Sequence, residues 1–436
     1  MNYVAGQSRS GQYRFRTGDQ ALVRQINLAV IMHHLRENAP ISRAALAEIT
    51  GLNKTTVSSL VRELSERQFV REVGYESPGS GRGAGRLAML LTLNPKAGYI
   101  VSMEIGVDYL MAICTNFAPD TMWQHKEEID PDMGQQVIID RLLALLYQGL
   151  NIGNEYCQTL LGVAVGVPGL VDQNSGTLLF APNLRWENVP LRAQLEGLIN
   201  APLIVDNEAN IAALGEHYFG AARGYNEVLY LSAGVGLGGG LVHNGQVFSG
   251  VTGFGSEFGH MTMDPDGEIC NCGNRGCWET QVSQRALFRY LRRSAGQGNK
   301  TMLTEMTGGN LGALTVPVVV EAAKQKDHMA LEALEVLGRH LGIGIASLVN
   351  ALNPELVVFG GILSLASDNL LPVIEDELQR RALRWNREAI KVVVAKHGQE
   401  ACVMGGVARV FQAVLAEPMP LGGQPASVIS MVNART

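Results

Sequence analysis

Four metal-seeking side chains stand close together in the second half of the chain: His260, then Cys270, Cys272 and Cys277. Three of the six cysteines fall within eight residues, and the imidazole stands ten positions before the first of them. In a chain without a disulfide pattern, such clustering points to a metal. One imidazole and three thiolates complete a tetrahedral zinc set and leave no position open to water. The spacing therefore predicts a structural zinc, about one per chain, with Gly273 and Gly276 permitting the tight turns between ligands.

The 436 residues suggest two to four domains at roughly 100–200 residues each. A hydrophobic fraction of 46% with only 17% charged residues excludes a wholly disordered chain. The longest apolar run, Leu160–Val171, is interrupted by Pro168 and falls short of the ~18 residues of a membrane span. The N-terminus carries no apolar segment of signal-peptide type. The expectation is a cytoplasmic protein with reduced thiols and no membrane partner. Charge is unevenly spread: residues 1–98 carry a net +6 and the remainder a net −12. That asymmetry suggests a polyanion-binding module on an acidic body.

Residues 1–18 are polar and aperiodic and read as a disordered tail. From Asp19 a helical pattern begins, with Leu22, Ile26, Ala29, Val30, Ile31 and Leu35 at three- and four-residue steps. Ser42 can cap a short helix to Ile49, and Thr50-Gly51-Leu52 reads as a tight turn. Asn53 can cap a second helix to about Arg67, with Val57, Leu60, Val61 and Leu64 as its apolar stripe. This is helix–turn–helix spacing. The opposite face carries Lys54, Thr55, Thr56, Ser58, Ser59 and Arg62, side chains suited to phosphates and base edges. Ser42, Arg43 and Asn53 at the helix starts join them as DNA-binding candidates. Strands are expected at residues 69–73 and 87–93, and the Gly-rich tip between them, with Arg82 and Arg86, reads as a basic wing.

Beyond Asn94-Pro95, strand-like runs alternate with helical ones, which argues for α/β layers. A hairpin is expected from residues 99–105 and 110–114, and buried strands at 161–167 and 203–205. A strand at 228–232 runs into a Gly-rich loop, Gly234–Gly240. Helices are expected at 137–150, 210–219, 341–352 and 370–382, and strands at 356–359 and 391–395. Residues 417–436 read as a loose tail. Amides and carboxylates recur in the loops: Asn183, Asn207, Glu208, Glu257 and Glu279. Such groups suit a polyhydroxylated ligand, whose hydroxyls both donate and accept.

These segments together resemble the ROK family of repressors, open reading frames and sugar kinases, over nearly the whole chain and most of all its xylose-repressor branch. The resemblance is carried by Ile41–Leu64, Ala181–Trp186, Asp206–Asn210, the Gly-rich loop, Gly253–His260 and Cys270–Glu279. It implies an actin-like (ribonuclease-H-like) body of two α/β lobes behind a winged helix–turn–helix at 19–95. The small lobe would comprise 96–208 plus about 390–416, and the large lobe, with the zinc, 209–389. It further implies that Asn183, Asn207, Glu208, Glu257, His260 and Glu279 contact a sugar, His260 serving metal and sugar together.

Two departures bear on chemistry. The family's kinases carry Asp where Glu208 stands, as the base that activates the sugar hydroxyl. They also open the body with Asp-x-Gly-x-Thr, where this chain has Glu104-Ile-Gly106-Val-Asp108-Tyr109. Asp108 adds negative charge and Tyr109 bulk where a triphosphate would need neutralisation. The expectation is a sugar-responsive regulator rather than an enzyme. It would be a repressor of carbohydrate-use genes, a homodimer or homotetramer on operator DNA, with xylose or glucose as effector. A sugar kinase with an appended DNA module is the alternative, and a zinc-responsive sensor is disfavoured by the complete ligand set.

Overall fold

Two side-chain caps frame the N-terminal unit. In the computed structural model, which describes residues 20–75 and 88–416, this unit opens with α1 (Gln20–Asn38) and continues through α2 (Arg43–Thr50) and α3 (Lys54–Glu66). The Ser42 hydroxyl accepts from Ala45 N at 3.3 Å and Asn53 Oδ1 from Thr56 N at 2.7 Å. Each satisfies an amide that a helix start leaves orphaned. Gly51, at φ +68°, turns the chain between α2 and α3. Val57, Leu60, Val61 and Leu64 form the buried face of α3, as their spacing predicts.

The buried face of α1 differs from expectation. It is Leu28, Ile31, Met32 and Leu35, whereas Ile26 is exposed and Ala29 and Val30 are half-buried. The observed set keeps i, i+3, i+4, i+7 spacing, while the expected set mixed two faces of one helix. Strands β1 (Ile41–Ser42), β2 (Val70–Tyr75) and β3 (Met89–Leu93) form an antiparallel sheet in the order β1-β3-β2. The expected wing residues Arg82 and Arg86, and the expected tails 1–18 and 417–436, lie outside the described residues.

The second unit begins at Pro95 and holds two five-stranded sheets of like topology. In the first, β4 (Tyr99–Ile105), β5 (Tyr109–Asn116) and β6 (Thr121–Glu128) form an antiparallel meander. Helix α4 (Gln135–Tyr156) leads to β7 (Leu160–Val167), parallel to β4. A small antiparallel sheet follows: β8 (Leu170–Asp172), β9 (Thr177–Ala181) and β10 (Trp186–Val189). Strand β11 (Leu203–Asn207) then joins β7 in parallel and feeds directly into α5 (Glu208–Phe219).

The second sheet repeats the plan. Its meander is β12 (Val228–Ala233), β13 (Leu237–His243) and β14 (Gln246–Val247); β15 (Leu356–Gly360) and β16 (Lys391–Val394) are added in parallel. Both sheets therefore run 3-2-1-4-5 in the order in which their strands occur. Helices α6 (Gln284–Gly296), α7 (His328–Leu352) and α8 (Ser367–Arg381) contribute to the hydrophobic core on this sheet. Helix α9 (Ala401–Ala416) lies against both α5 and β4: a Cβ on Gly405 would meet Ile211 O at 1.8 Å, and one on Gly406 the Ser102 hydroxyl at 2.1 Å. Among the described residues, no helix is long and apolar enough to cross a membrane.

Three sequence expectations need correction here. Strand β16, expected with the small lobe, belongs to the second sheet, because Val392–Val394 complete the parallel ladder on β15. The Gly-rich stretch is no extended loop. Gly234 and Gly236 make the turn, and Gly238–Gly240 lie within β13, paired with β12. A Cβ on Gly239 would strike Phe258 and one on Gly240 the Ala209 carbonyl, so these glycines let neighbours pack closely. Strand β6 and the small sheet β8–β10 were not expected; β6, Thr-Met-Trp-Gln-His-Lys-Glu-Glu, is a polar edge strand without an apolar period.

Candidate functional site

Strand β11 ends on a carboxamide whose oxygen is already committed. Asn207 Oδ1 caps α5, accepting from Ala209 N at 2.9 Å and Asn210 N at 3.1 Å, while its Nδ2 donates to Gly169 O at 3.1 Å. That cap places Glu208 on the first turn of α5, facing a cleft of about 590 Å³ between the two sheets. The volume lies within the usual range for small-molecule sites, ~300–1,000 Å³. Asn183, Asn207, Glu208, Glu257, His260 and Glu279 all line it. The sequence expectation placed all six in one site, and the fold brings them there from four separate segments, the β9–β10 turn, the start of α5, the turn at 257–260 and the helix start at Glu279. Asn207 serves chiefly to build the site, since its side chain is largely used by the backbone.

Glu208 is half-buried, but its Oε2 is shut off from solvent and has no hydrogen-bond partner among the described residues. An orphaned buried oxygen of this kind is costly unless a ligand satisfies it. Burial holds the Glu208 carboxyl well above the usual range, with Glu257 and Glu104 adding repulsion. Burial raises Glu257 as well, against the pull of His260. Carboxyl oxygens directed into a cleft are suited to hydroxyl partners. Around Gly236 the complement is explicit: the point where a Cβ would sit is 2.6 Å from Glu279 Oε2 and 2.9 Å from Asn183 Nδ2.

Glu104, Gly106, Asp108 and Tyr109 line the same cleft. The Tyr109 ring lies over Gly106, where a Cβ would come within 2.6 Å of it. Its hydroxyl donates to Glu104 Oε1 at 2.5 Å, and Lys126 Nζ stands 4.5 Å from the ring centroid. Asp108 accepts from Gln284 Nε2 at 3.4 Å, a contact sequence reading did not foresee. Burial pushes the Glu104 carboxyl up to about 7, opposed in part by the Tyr109 hydrogen bond. An acid whose pKa is higher folded than unfolded stabilises the fold most below its unfolded value, here 4.5. That contribution is lost as pH rises through about 7. Glu104→Gln is therefore expected to gain on the wild type between about pH 5 and about pH 8, by about 1–3 kcal/mol in denaturant titrations. Parallel profiles for the two proteins would mean that Glu104 is ionised in the fold.

His260, Cys270, Cys272 and Cys277 converge, their ligand atoms all within 4.8 Å of one another. The Cys272 and Cys277 sulfurs are 3.7 Å apart, and His260 Nδ1 is 3.7 Å from Cys270 Sγ. A tetrahedral zinc with ~2.3 Å bonds to sulfur has sulfur–sulfur edges of about 3.8 Å. The donor set and its spacing thus fit the ion that the sequence predicts. Gly273 and Gly276, at φ +91° and +69°, make the expected turns. A Cβ on Gly276 would meet Asp264 O at 1.5 Å. Because Nδ1 of His260 faces the sulfurs and the residue also lines the cleft, Nε2 is the nitrogen left for a ligand.

In the N-terminal unit, α3 turns Lys54, Thr55, Ser58 and Arg62 outward as exposed residues, with Thr56 and Ser59 half-buried. Thr55, Ser58, Ser59 and Arg62 repeat the i, i+3, i+4, i+7 spacing of the buried face on the opposite side. Asn53 is exposed beside its cap, and Arg43 pairs with Glu72 at 3.0 Å. Ser42 is the exception. It is 5% exposed and its hydroxyl caps α2, so its role is to start that helix rather than to reach DNA.

Comparison with known proteins agrees with both halves. The model described as ROK family matches residues 100–413, and one described as winged helix-turn-helix DNA-binding matches residues 30–71. The xylose repressor of Caldicellulosiruptor bescii is 33% identical over 401 residues, covering 92% of this chain and 99% of that protein. A solved ROK family transcriptional regulator, a homologue of the E. coli MLC protein, superposes with a TM-score of 0.76 at 27% identity, covering 91% and 97% of the two chains. A ROK family glucokinase from Streptomyces griseus, in complex with glucose and AMPPNP, gives 0.65 at 30% identity, covering 71% of this chain and 98% of that one.

Proposed function

This chain belongs to the ROK family, and from that premise we propose that it is a sugar-responsive transcriptional repressor that binds its sugar without phosphorylating it. The carrying observation is Tyr109, packed over Gly106 and bonded to Glu104. The ring takes up the phosphate end of the cleft with bulk, beside acidic Glu104 and Asp108. Phosphoryl transfer requires positioned cations and donors around the transferring group, whereas here the Tyr109 ring takes the space, Asp108 adds negative charge and the Lys126 ammonium is held against that ring.

The sugar lies among Asn183, Glu208, Glu257, His260 and Glu279. The orphaned Glu208 Oε2 and the donor–acceptor pair over Gly236 each take one hydroxyl. The metal is zinc, held by His260, Cys270, Cys272 and Cys277. It cross-links the segment and fixes the His260 ring, with no open position for a reacting water. The outward face of α3 reads operator DNA, and two copies in a homodimer or homotetramer match two half-sites. Such a regulator works in the cytoplasm, where its DNA is. Xylose, from the C. bescii repressor, and glucose, from the S. griseus enzyme, are the two effectors to try first. The ligand shifts DNA binding only by its differential affinity for two lobe arrangements, and release on sugar binding is the expected direction.

The likeness to the S. griseus glucokinase favours a second reading, an ATP-dependent kinase with a DNA module. One assay separates them: incubate the chain with ATP, magnesium and either sugar, and measure sugar phosphate. No turnover is expected; rates near ~1–1,000 per second would establish the kinase. In the same preparations, Glu208→Ala and Glu257→Ala are expected to keep operator binding and to weaken sugar binding about 5- to 150-fold, the loss of a buried hydroxyl partner of about 1–3 kcal/mol. Sugar affinity unchanged in both variants would place the ligand elsewhere.

A further inference from the structure

Asn183, in the turn between β9 and β10, has a carboxamide gripped from across the cleft. Its Oδ1 accepts from Asn271 Nδ2 at 2.9 Å and from Arg285 Nη1 at 3.0 Å. Asn271 sits between the metal ligands Cys270 and Cys272, and Arg285 on the first turn of α6. The start of α6 is itself tied to the glycine turn, Gln284 N donating to Gly234 O at 2.8 Å. A guanidinium has donors only, so the amide atom facing Arg285 must be the oxygen. That leaves Nδ2 on the cleft side, the atom 2.9 Å from the Cβ point of Gly236.

We propose that Asn271 and Arg285 are positioning residues that lock the Asn183 carboxamide as a hydrogen-bond donor toward the ligand, tying that orientation to the metal loop on the opposite side of the cleft. An unrestrained carboxamide can turn over, presenting oxygen where nitrogen is needed and meeting the Glu279 carboxylate acceptor with another acceptor. With two donors on its oxygen, Asn183 has one orientation. The hydroxyl that enters over Gly236 then accepts from Asn183 and donates to Glu279. The metal loop thus has a second role beyond its own stability: it carries Asn271 to the acceptor that holds the facing lobe. The inference rests on the reading of this cleft as a sugar site.

The test uses the full-length chain, with D-xylose and D-glucose as probes in calorimetric titrations. Asn271→Ala and Arg285→Ala are each expected to weaken binding several-fold, and the double variant about tenfold, the worth of one hydrogen bond. Asn183→Ala alone should lose as much as the double variant, and combining all three should lose no more, because all three changes remove one oriented donor. Arg285→Lys, which keeps a donor, should recover part of the loss. Zinc content and melting temperature should stay at wild-type values throughout. Latch variants with wild-type affinity, losses that add to that of Asn183→Ala, or weakened binding that appears only with lost metal would each overturn the inference while leaving the sugar reading intact. A wild-type chain that binds neither sugar overturns both.

Discussion

Cys272→Ser is expected to leave the protein without its metal and to lower its melting temperature on the order of 10 °C. Regular secondary structure around the cluster is sparse, and turn hydrogen bonds such as Gly276 N to Glu268 O and Cys270 N to Asn274 O hold what the ion does not. From Met261 to Cys277 the chain forms turns and two isolated bridges, Thr262–Cys277 and Ile269–Arg275, and Ile269 is 68% exposed. Burial pushes the Cys270 and Cys277 thiols up, so their thiolates are stable there only beside a cation. Metal binding contributes ~10–16 kcal/mol where it folds a small peptide outright. Here the second sheet has its own core, so a few kcal/mol of that is expected to be lost, at about 2–4 °C for each. Metal analysis with scanning calorimetry reads both quantities. A metal-free variant that melts with the wild type and binds sugar as tightly would mean that the four side chains converge without holding an ion.

The second large effect concerns DNA. Lys54→Ala combined with Arg62→Ala removes two exposed cations from the outward face of α3. Each bond to a base or phosphate is worth about 1–3 kcal/mol, so the pair should cost about 30-fold or more in operator affinity. The salt dependence should also become shallower, by about 0.9 in log–log slope for each phosphate no longer neutralised. Anisotropy titrations over a range of salt, on a genomic fragment selected by the wild-type chain, measure both. Sugar binding by the second unit should be unchanged. Equal affinity and equal slope would remove α3 from the DNA interface.

The parts that were legible in the sequence share a cause. Caps, apolar stripes and ligand spacings act over a few residues, so Ser42, Asn53, Val57–Leu64 and the His260–Cys277 cluster could be read locally. The resemblance added what no spacing holds, that loops more than a hundred residues apart meet in one cleft. What stayed hidden was set by packing. Gly238–Gly240 look like a loop in the sequence but form a strand pressed against Ala209 and Phe258. Strand β16 gives no sign of which sheet it will join. The polar edge strand β6 shows no apolar period, because its half-buried positions include His125 and Glu127, as polar as the exposed ones between them. Asn207 looks like a ligand residue and proves to be mostly a cap, and Asn271 and Arg285 are unremarkable until the fold sets them beside Asn183.

Tyr109 over Gly106 has a consequence for how such a protein reports. A kinase converts its sugar and must shed the product, so its occupancy depends on flux and on a supply of ATP. Without phosphoryl transfer, the ligand leaves the cleft as the same molecule that entered. Occupancy then follows concentration alone, with no fuel consumed and no trace kept of earlier exposure. The time over which the cell's sugar level is averaged is set by a single dissociation rate. Substitutions along the cleft would tune how quickly the signal is forgotten.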